Sequence, residues 1–160
     1  MLHFAYGSNM HRDVMRRHAR FAEPIGIASL ADHRFVITAD GYASVEPARG
    51  ESVHGVLWRL TVRDRATLDA WEKVAARQYR ACTMAVRQAG RRRLALVYVA
   101  RPCGAGVPKP GYMELVVAAA RAWQLPQAYI TSLQRRASAR ALAAGPRRLG
   151  EFGWMSPATS

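Results

Sequence analysis

Cysteine is nearly missing from this chain, and so is lysine. Its 160 residues hold 2 cysteines, Cys82 and Cys103. Two thiols make neither a disulfide framework nor a metal signature, so the expectation is an intracellular, reduced protein of the cytoplasm. No apolar run approaches the roughly 20 residues of a membrane span. The longest, Leu94 to Ala100, suits a buried strand, and no membrane partner is expected. The opening MLHFAYGSN has no basic region ahead of its apolar stretch and does not read as a signal peptide. The histidines, at 3, 11, 18, 33 and 54, keep no metal-ligand spacing. Acidic residues are also scarce, 11 against 24 basic ones, for a net charge of +13. Lysine occurs only at 73 and 109, so the rest of the basic charge is arginine. Such a field attracts polyanions and anionic metabolites. The arginines are scattered among alanines, apart from Arg91, Arg92 and Arg93, and no zinc-finger, RRM or KH pattern accompanies them. A compositional preference for arginine gives the same count, so nucleic acid is not the favoured partner.

What is present is a chain that is 50% hydrophobic, with one domain's length. The expected domain spans 1–144. A tail over 145–160 is either docked through Phe152 and Trp154 or loose. His3 to Tyr6 reads as a strand running into Gly7-Ser8-Asn9, followed by a helix from Asn9 to His18 capped by Asn9 or Ser8. Strands are predicted near 25–30 and 33–39, then a loop-rich stretch between Gly41 and Gly50 that contains Pro47. In VHGVLWRLT, Val56, Trp58 and Leu60 alternate onto one face. Asp64 is placed as the N-cap of a helix over 65–75. Tyr79 to Gln88 and Leu94 to Arg101 read as a hairpin turning at Gly90. A Pro/Gly loop follows over 102–110. Two helices come next, one from Pro110 to Trp123 with a stripe at Tyr112, Leu115, Val116, Ala119 and Trp123, and one from Pro126 that aligns Tyr129 and Leu133. Adjacent strands with helices between hairpins and at the end argue an α+β fold. A small closed or nearly closed mixed β-barrel flanked by helices would cover strands such as LALVYVA on both faces, and a β-sandwich is the weaker alternative.

Glu72 is the most informative residue. It falls inside the stripe of Leu68, Trp71 and Ala75, where a carboxylate is costly unless paired or protonated. Desolvation there would raise its pKa and suit it to acid–base work near neutrality. The alternatives are that helix rotation exposes it or that it pairs with an arginine. The Tyr6-Gly7-Ser8-Asn9 loop is either a nest of backbone N–H groups for an anion or an ordinary capped turn. Ser8 lacks the Gly-x-Ser-x-Gly elbow of a hydrolase nucleophile. Neither cysteine has a cue for thiolate activation. Tyr79, Tyr98 and Tyr112 are core residues by pattern, and their polar tips also suit a pocket wall.

Taken in order, these motifs resemble the gamma-glutamylcyclotransferase family, with its AIG2-like fold. FAYGSN at Phe4 to Asn9 is similar to the family's substrate loop. GYASVEP at 41–47, VHGVLWRL at 53–60, LDAWEKV at 68–74, PKPGYMELV around Tyr112 and then QLPQAYITSL follow the family order. The similarity covers roughly 3–137. It implies that Glu72 is the catalytic residue. It further implies that Phe4, Ala5, Tyr6, Gly7, Ser8, Asn9, Tyr79 and Tyr112 bind substrate, the loop through its main chain and Tyr112 by closing the pocket. The implied reaction cyclises a gamma-glutamyl amine or amino acid, releasing 5-oxoproline and the free amine, with no cofactor and no metal. A non-catalytic binding module of the same fold is the alternative. The identity of the amine and the oligomeric state, a homodimer included, stay open. Two positions depart from the family. Lys73 stands where glycine is usual after the glutamate, which implies a different local turn or a cation that lowers the pKa of Glu72. VVAAARAW lacks the usual Gly-Ala.

Overall fold

The computed structural model describes residues 1–101 and 104–144. Cys103 and the segment 145–160, with Phe152 and Trp154, lie outside the described residues. Among the described residues five strands run in chain order: β1 (Leu2–Ala5), β2 (Glu23–Ile37), β3 (Ala43–Arg59), β4 (Tyr79–Gln88) and β5 (Arg91–Ala100). They close into a barrel in the order β1-β3-β2-β4-β5. Closure is mixed: β1 meets β5 in parallel at His3 and Leu96, while the other neighbours are antiparallel. The α+β class and the closed mixed barrel are therefore as expected, and the sandwich is not.

The two strands expected near 25–30 and 33–39 are one strand. The stretch expected as loop between Gly41 and Gly50 belongs to β3. Glycine and proline punctuate it locally, but pairing with β2 supplies its hydrogen bonds across a long antiparallel register from Glu23 and Arg59 to Ile37 and Ala43. The register shifts twice, between Pro24 and Gly26 and between Ala31 and His33, where Asp32 takes a φ of 57° and Gly50 N–H donates to its carboxylate at 2.9 Å. Pro47 is tolerated opposite His33, exposed beside that shift. The second hairpin turns through Ala89 and Gly90, both at positive φ, so Arg91, Arg92 and Arg93 lie in the strand. In β5 the residues Ala95 to Tyr98 are buried on both faces, whereas Leu94 is 62% exposed.

Among the described residues four α-helices flank the barrel: α1 (Arg12–His18), α2 (Val62–Trp71), α3 (Tyr112–Ala122) and α4 (Gln127–Ala144). The first begins later than expected. Ser8–Met10 forms a 3-10 turn, and His11 caps α1 by accepting from Asp13 N–H. In α2 the cap is Thr61, not Asp64. Thr61 and Asp64 form a reciprocal capping box, with Asp64 also accepting from Phe21 N–H at 3.0 Å. Helix α3 buries Tyr112, Met113, Val116, Val117, Ala119 and Ala120, and its end is tied to the 3-10 turn by Trp123 Nε1–H donating to the Met10 carbonyl at 2.8 Å. Phe4, Leu57 and Val97 from the barrel share one core with Met113 and Leu133 from the helices. Each such side chain stabilises by about 1.5–3 kcal/mol when removed from water.

Candidate active site

Strand β1 ends at Ala5. Tyr6 stays buried and donates its hydroxyl to the Tyr98 carbonyl on β5, while Gly7 starts the 3-10 turn, its carbonyl accepting from Met10 N–H at 3.0 Å. Gly7 has φ −108°, so left-handed backbone is not why it is glycine. Space is the reason: a Cβ there would lie 2.7 Å from the Tyr112 hydroxyl and 3.2 Å from Ala43 Cβ. That hydroxyl accepts from Ala43 N–H at 3.2 Å and from Ser8, and burial pushes its pKa up to about 12. Tyr112 thus reaches from α3 to hold both the loop and the start of β3. From β4, Tyr79 donates its hydroxyl to the Ala43 carbonyl at 2.8 Å.

Helix α2 delivers the carboxylate, but not in the manner expected. The helix stops at Trp71 rather than 75, and Glu72 is its C-cap. Lys73 N–H bonds the Ala70 carbonyl and Val74 N–H the Asp69 carbonyl, at 3.1 and 3.0 Å, with Lys73 at φ 50°. This is a Schellman ending, whose left-handed position is usually glycine. The turn implied by glycine is therefore kept, with lysine bearing its conformational cost. Past that bend Ala75 is exposed and Val74 packs on the core instead.

Glu72 is half-buried and carries no arginine partner among the described residues. It accepts from Asn9 Nδ2–H at 2.9 Å. Burial raises its pKa to about 7, and the Asn9 hydrogen bond acts in the opposite direction. Lys73 is exposed and forms no ion pair with Glu72. The Glu72 charge in turn helps raise the pKa values of Tyr6, Tyr98 and Tyr112, behind burial in each case.

Glu72 and the whole run from Phe4 to Asn9 line one cavity of about 460 Å³, together with Tyr79 and Tyr112. All nine residues singled out from the sequence are thus brought together. Sequence reasoning missed His3, Tyr42, Trp71 and Gln78 as lining residues. His3 is 2% exposed and held neutral, its pKa lowered to about 4 by burial, with Nδ1–H donating to the Leu96 carbonyl at 3.1 Å. Tyr98, which lines the same cavity, donates to Asp69 at 2.6 Å, and Asp69 is paired with Arg65. A histidine on a buried strand was the only cue for His3, and an isolated one is more often core. Among the described residues no cluster of three or more His, Cys, Asp or Glu could hold a metal ion. What the arrangement can do is move one proton at neutral pH at a half-buried carboxylate.

The AIG2-like family is matched over residues 52–133. No curated protein matches the chain. A solved structure named gamma-glutamyl cyclotransferase is similar with a TM-score of 0.79 and 23% identity, over 84% of this chain and 86% of that one. An uncharacterized protein from Homo sapiens gives 0.78 and 24%, over 83% and 85%. YkqA from Bacillus subtilis gives 0.75 and 23%, over 86% of this chain and 54% of its own. At such identities these likenesses establish the barrel fold.

Proposed function

The chain belongs to the AIG2-like family, and from that premise we propose that it cyclises a gamma-glutamyl amide to 5-oxoproline with release of the amine. The observation that carries this reading is the Glu72 carboxylate, raised to about 7 and held by Asn9 of the loop it faces. The likeness to a structure named gamma-glutamyl cyclotransferase supports it.

The α-ammonium of such a substrate sheds two protons in becoming the ring nitrogen. One leaves to solvent as the amine enters, and Glu72 takes the other as that nitrogen bonds the gamma carbonyl carbon. The original C–N bond then breaks, and Glu72 returns the proton to the departing nitrogen, ending as the carboxylate it began as. A single group with a pKa near the working pH serves both steps. The attack is intramolecular, so the protein's task is to hold the substrate folded. The loop from Phe4 to Asn9 is the proposed cradle for the gamma-glutamyl half, its main chain facing the carboxylate or developing oxyanion, with Tyr79 and Tyr112 as walls. No cofactor is needed by this chemistry. A cytoplasmic setting is proposed from the scarcity of cysteine, and among the described residues no helix is long and apolar enough to cross a membrane.

The test is release of 5-oxoproline from a panel of gamma-glutamyl amines and amino acids. Turnover of at least one supports the reading. Binding without turnover of any would favour the non-catalytic module.

A further inference from the structure

Helices α1 and α2 end against each other. His18 is the last residue of α1 and Trp71 the last of α2, and their rings stack with centroids 3.7 Å apart and planes 19° from parallel. Trp71 lines the cavity and Glu72 follows it directly, whereas His18 stands behind Trp71 and does not line the cavity. The segment that runs from the loop through α1 meets α2 at three places. Asn9 donates to Glu72 Oε1 at 2.9 Å, His18 stacks on Trp71, and Phe21 N–H donates to Asp64 Oδ1 at 3.0 Å. The last of these lies in the first turn of α2, so the first two alone act on its end. Beyond that end the chain turns through Lys73 at φ 50°, a conformation that lysine does not favour. Among the described residues the His18 nitrogens make no hydrogen bond, so the ring face carries the contact. Burial first, and then the Arg17 charge, lower the His18 pKa, so the stacked ring is neutral near pH 7.

We propose that His18 is a positioning residue for the reaction: stacked on Trp71, its ring fixes the end of α2 and so sets where the Glu72 carboxylate stands relative to the loop that carries Asn9. The assignment rests on the cyclisation reading above. A base must lie within hydrogen-bond reach of the proton it takes, and a misplacement of about 1 Å costs on the order of 10² in rate. Asn9 and Glu72 are 63 residues apart, so their meeting is a matter of how two elements are held. One hydrogen bond leaves the end of α2 free to pivot about it. A second contact at the far end of α1 removes that freedom, and a flat ring against an indole fixes an orientation as well as a distance.

The experiment reads the Glu72 titration by carbon-13 NMR in the full chain, assigned with Glu72→Gln, together with kcat and KM for a gamma-glutamyl amide. It compares wild type, His18→Ala, His18→Leu and His18→Phe. His18→Ala should lower kcat by about ten-fold or more while KM moves less. It should also bring the Glu72 midpoint down from about 7 toward 4.5, as water reaches a carboxylate that burial had raised. Tyr6, Tyr98 and Tyr112, which feel the Glu72 charge, stay neutral across this range because burial raises each of them, and His18→Ala removes no charge near pH 7. The midpoint therefore reports the surroundings of Glu72. His18→Leu keeps apolar bulk without a flat face and is expected to show the same two losses, so the test survives if His18→Ala does not fold. His18→Phe keeps the ring and should restore kcat and midpoint to near wild type. A midpoint and kcat unmoved in His18→Ala and His18→Leu, with or without a lower melting temperature, mark the stack as structural only and overturn the proposal. So does a His18→Phe as impaired as His18→Ala. Absence of turnover by the wild type overturns the cyclisation reading by itself. The midpoints need no substrate and still uphold or overturn the stack as what places Glu72.

Discussion

At the inner end of the cleft, Glu72 is held by one hydrogen bond from Asn9 and pushed up to about 7 by burial. At the mouth, where a second hollow shares Tyr42 and Gln78 with the cavity, Asp40 and Lys109 stand exposed with no side-chain hydrogen bond or ion pair among the described residues. Both ends carry a carboxylate, yet only the inner one is partly withdrawn from water. An acid buried with one donor is poised to gain and lose a proton, while an acid in water can only attract charge. The backbone follows the same division. The inner wall is assembled from β1, β4, α2 and α3, whose residues are far apart in sequence, whereas the mouth is two loops clamped together, Thr38 bridging Ala105 and Lys109 N–H donating to the Gly41 carbonyl.

The sharpest way to break the comparison is to remove the inner proton carrier. Glu72→Gln keeps the size of the side chain and is expected to lower kcat by about 10²–10⁴ or more. Near wild-type turnover by the purified variant would end the assignment of Glu72 as base. The same variant reports the cost of burial. Because the folded-state pKa is raised from 4.5 to about 7, the folded chain binds more protons than the unfolded one across that window, and stability falls as pH rises through it. Glu72→Gln should therefore melt higher than wild type at pH 8, by an amount on the order of 2 kcal/mol, and about equal to it at pH 4. Equal melting at both would mean the carboxylate is better solvated than its surroundings imply.

Next in size is the loop. Gly7→Ala introduces a methyl 2.7 Å from the Tyr112 hydroxyl without straining the backbone. It should displace the hydroxyl from Ala43 and Ser8 and cost on the order of 10² in kcat/KM, the scale of a misplacement of about 1 Å. Ser8→Ala should cost less. Tyr112→Phe removes the obstructing oxygen, so Gly7→Ala combined with Tyr112→Phe should lose less than the two single losses together. Strict additivity would show that Gly7 is needed for something other than room.

Much of this arrangement could be read from the sequence. Glu72 stood out because a carboxylate interrupted the apolar spacing set by Leu68 and Trp71, and it does lie in the cavity. Its helix ended sooner than the pattern implied, because the spacing runs on past the bend while the left-handed φ of Lys73 carries no composition signal. The 41–50 stretch hid its strand behind Gly41, Pro47 and Gly50, since what makes it a strand is its pairing with β2. The mouth hollow was illegible for the same reason: it depends on Gly106 meeting Thr38, a contact no local pattern encodes.

A finer probe of the inner end is its pH dependence. If Glu72 must be ionised to accept the proton, kcat/KM should rise through a pH near 7. The Asn9 hydrogen bond favours the charged form, so removing it in Asn9→Ala should move this limb to higher pH. A limb that stays put, or moves lower, would show that Asn9 positions the carboxylate without tuning it.

The smallest expected effect separates conformation from charge at Lys73. A side chain at φ 50° costs about 1–2 kcal/mol relative to glycine in that conformation. Glycine gives back part of this, about 0.4–1 kcal/mol, through the greater freedom of its unfolded chain. Lys73→Gly should therefore gain about 1 kcal/mol or less, a rise of roughly 2–4 °C per kcal/mol in the melting temperature. Lysine and glycine differ in charge as well, and the pH profile tells the two effects apart. Were the Lys73 ammonium holding the Glu72 pKa down, its removal would shift the rising limb of kcat/KM to higher pH. Burial raises that pKa, the Asn9 hydrogen bond opposes it, and the exposed Lys73 makes no ion pair with Glu72, so the limb should stay in place while the melting temperature climbs. A shifted limb with no gain in stability would mean that the lysine acts on the carboxylate through its charge and that the helix ending tolerates it without strain.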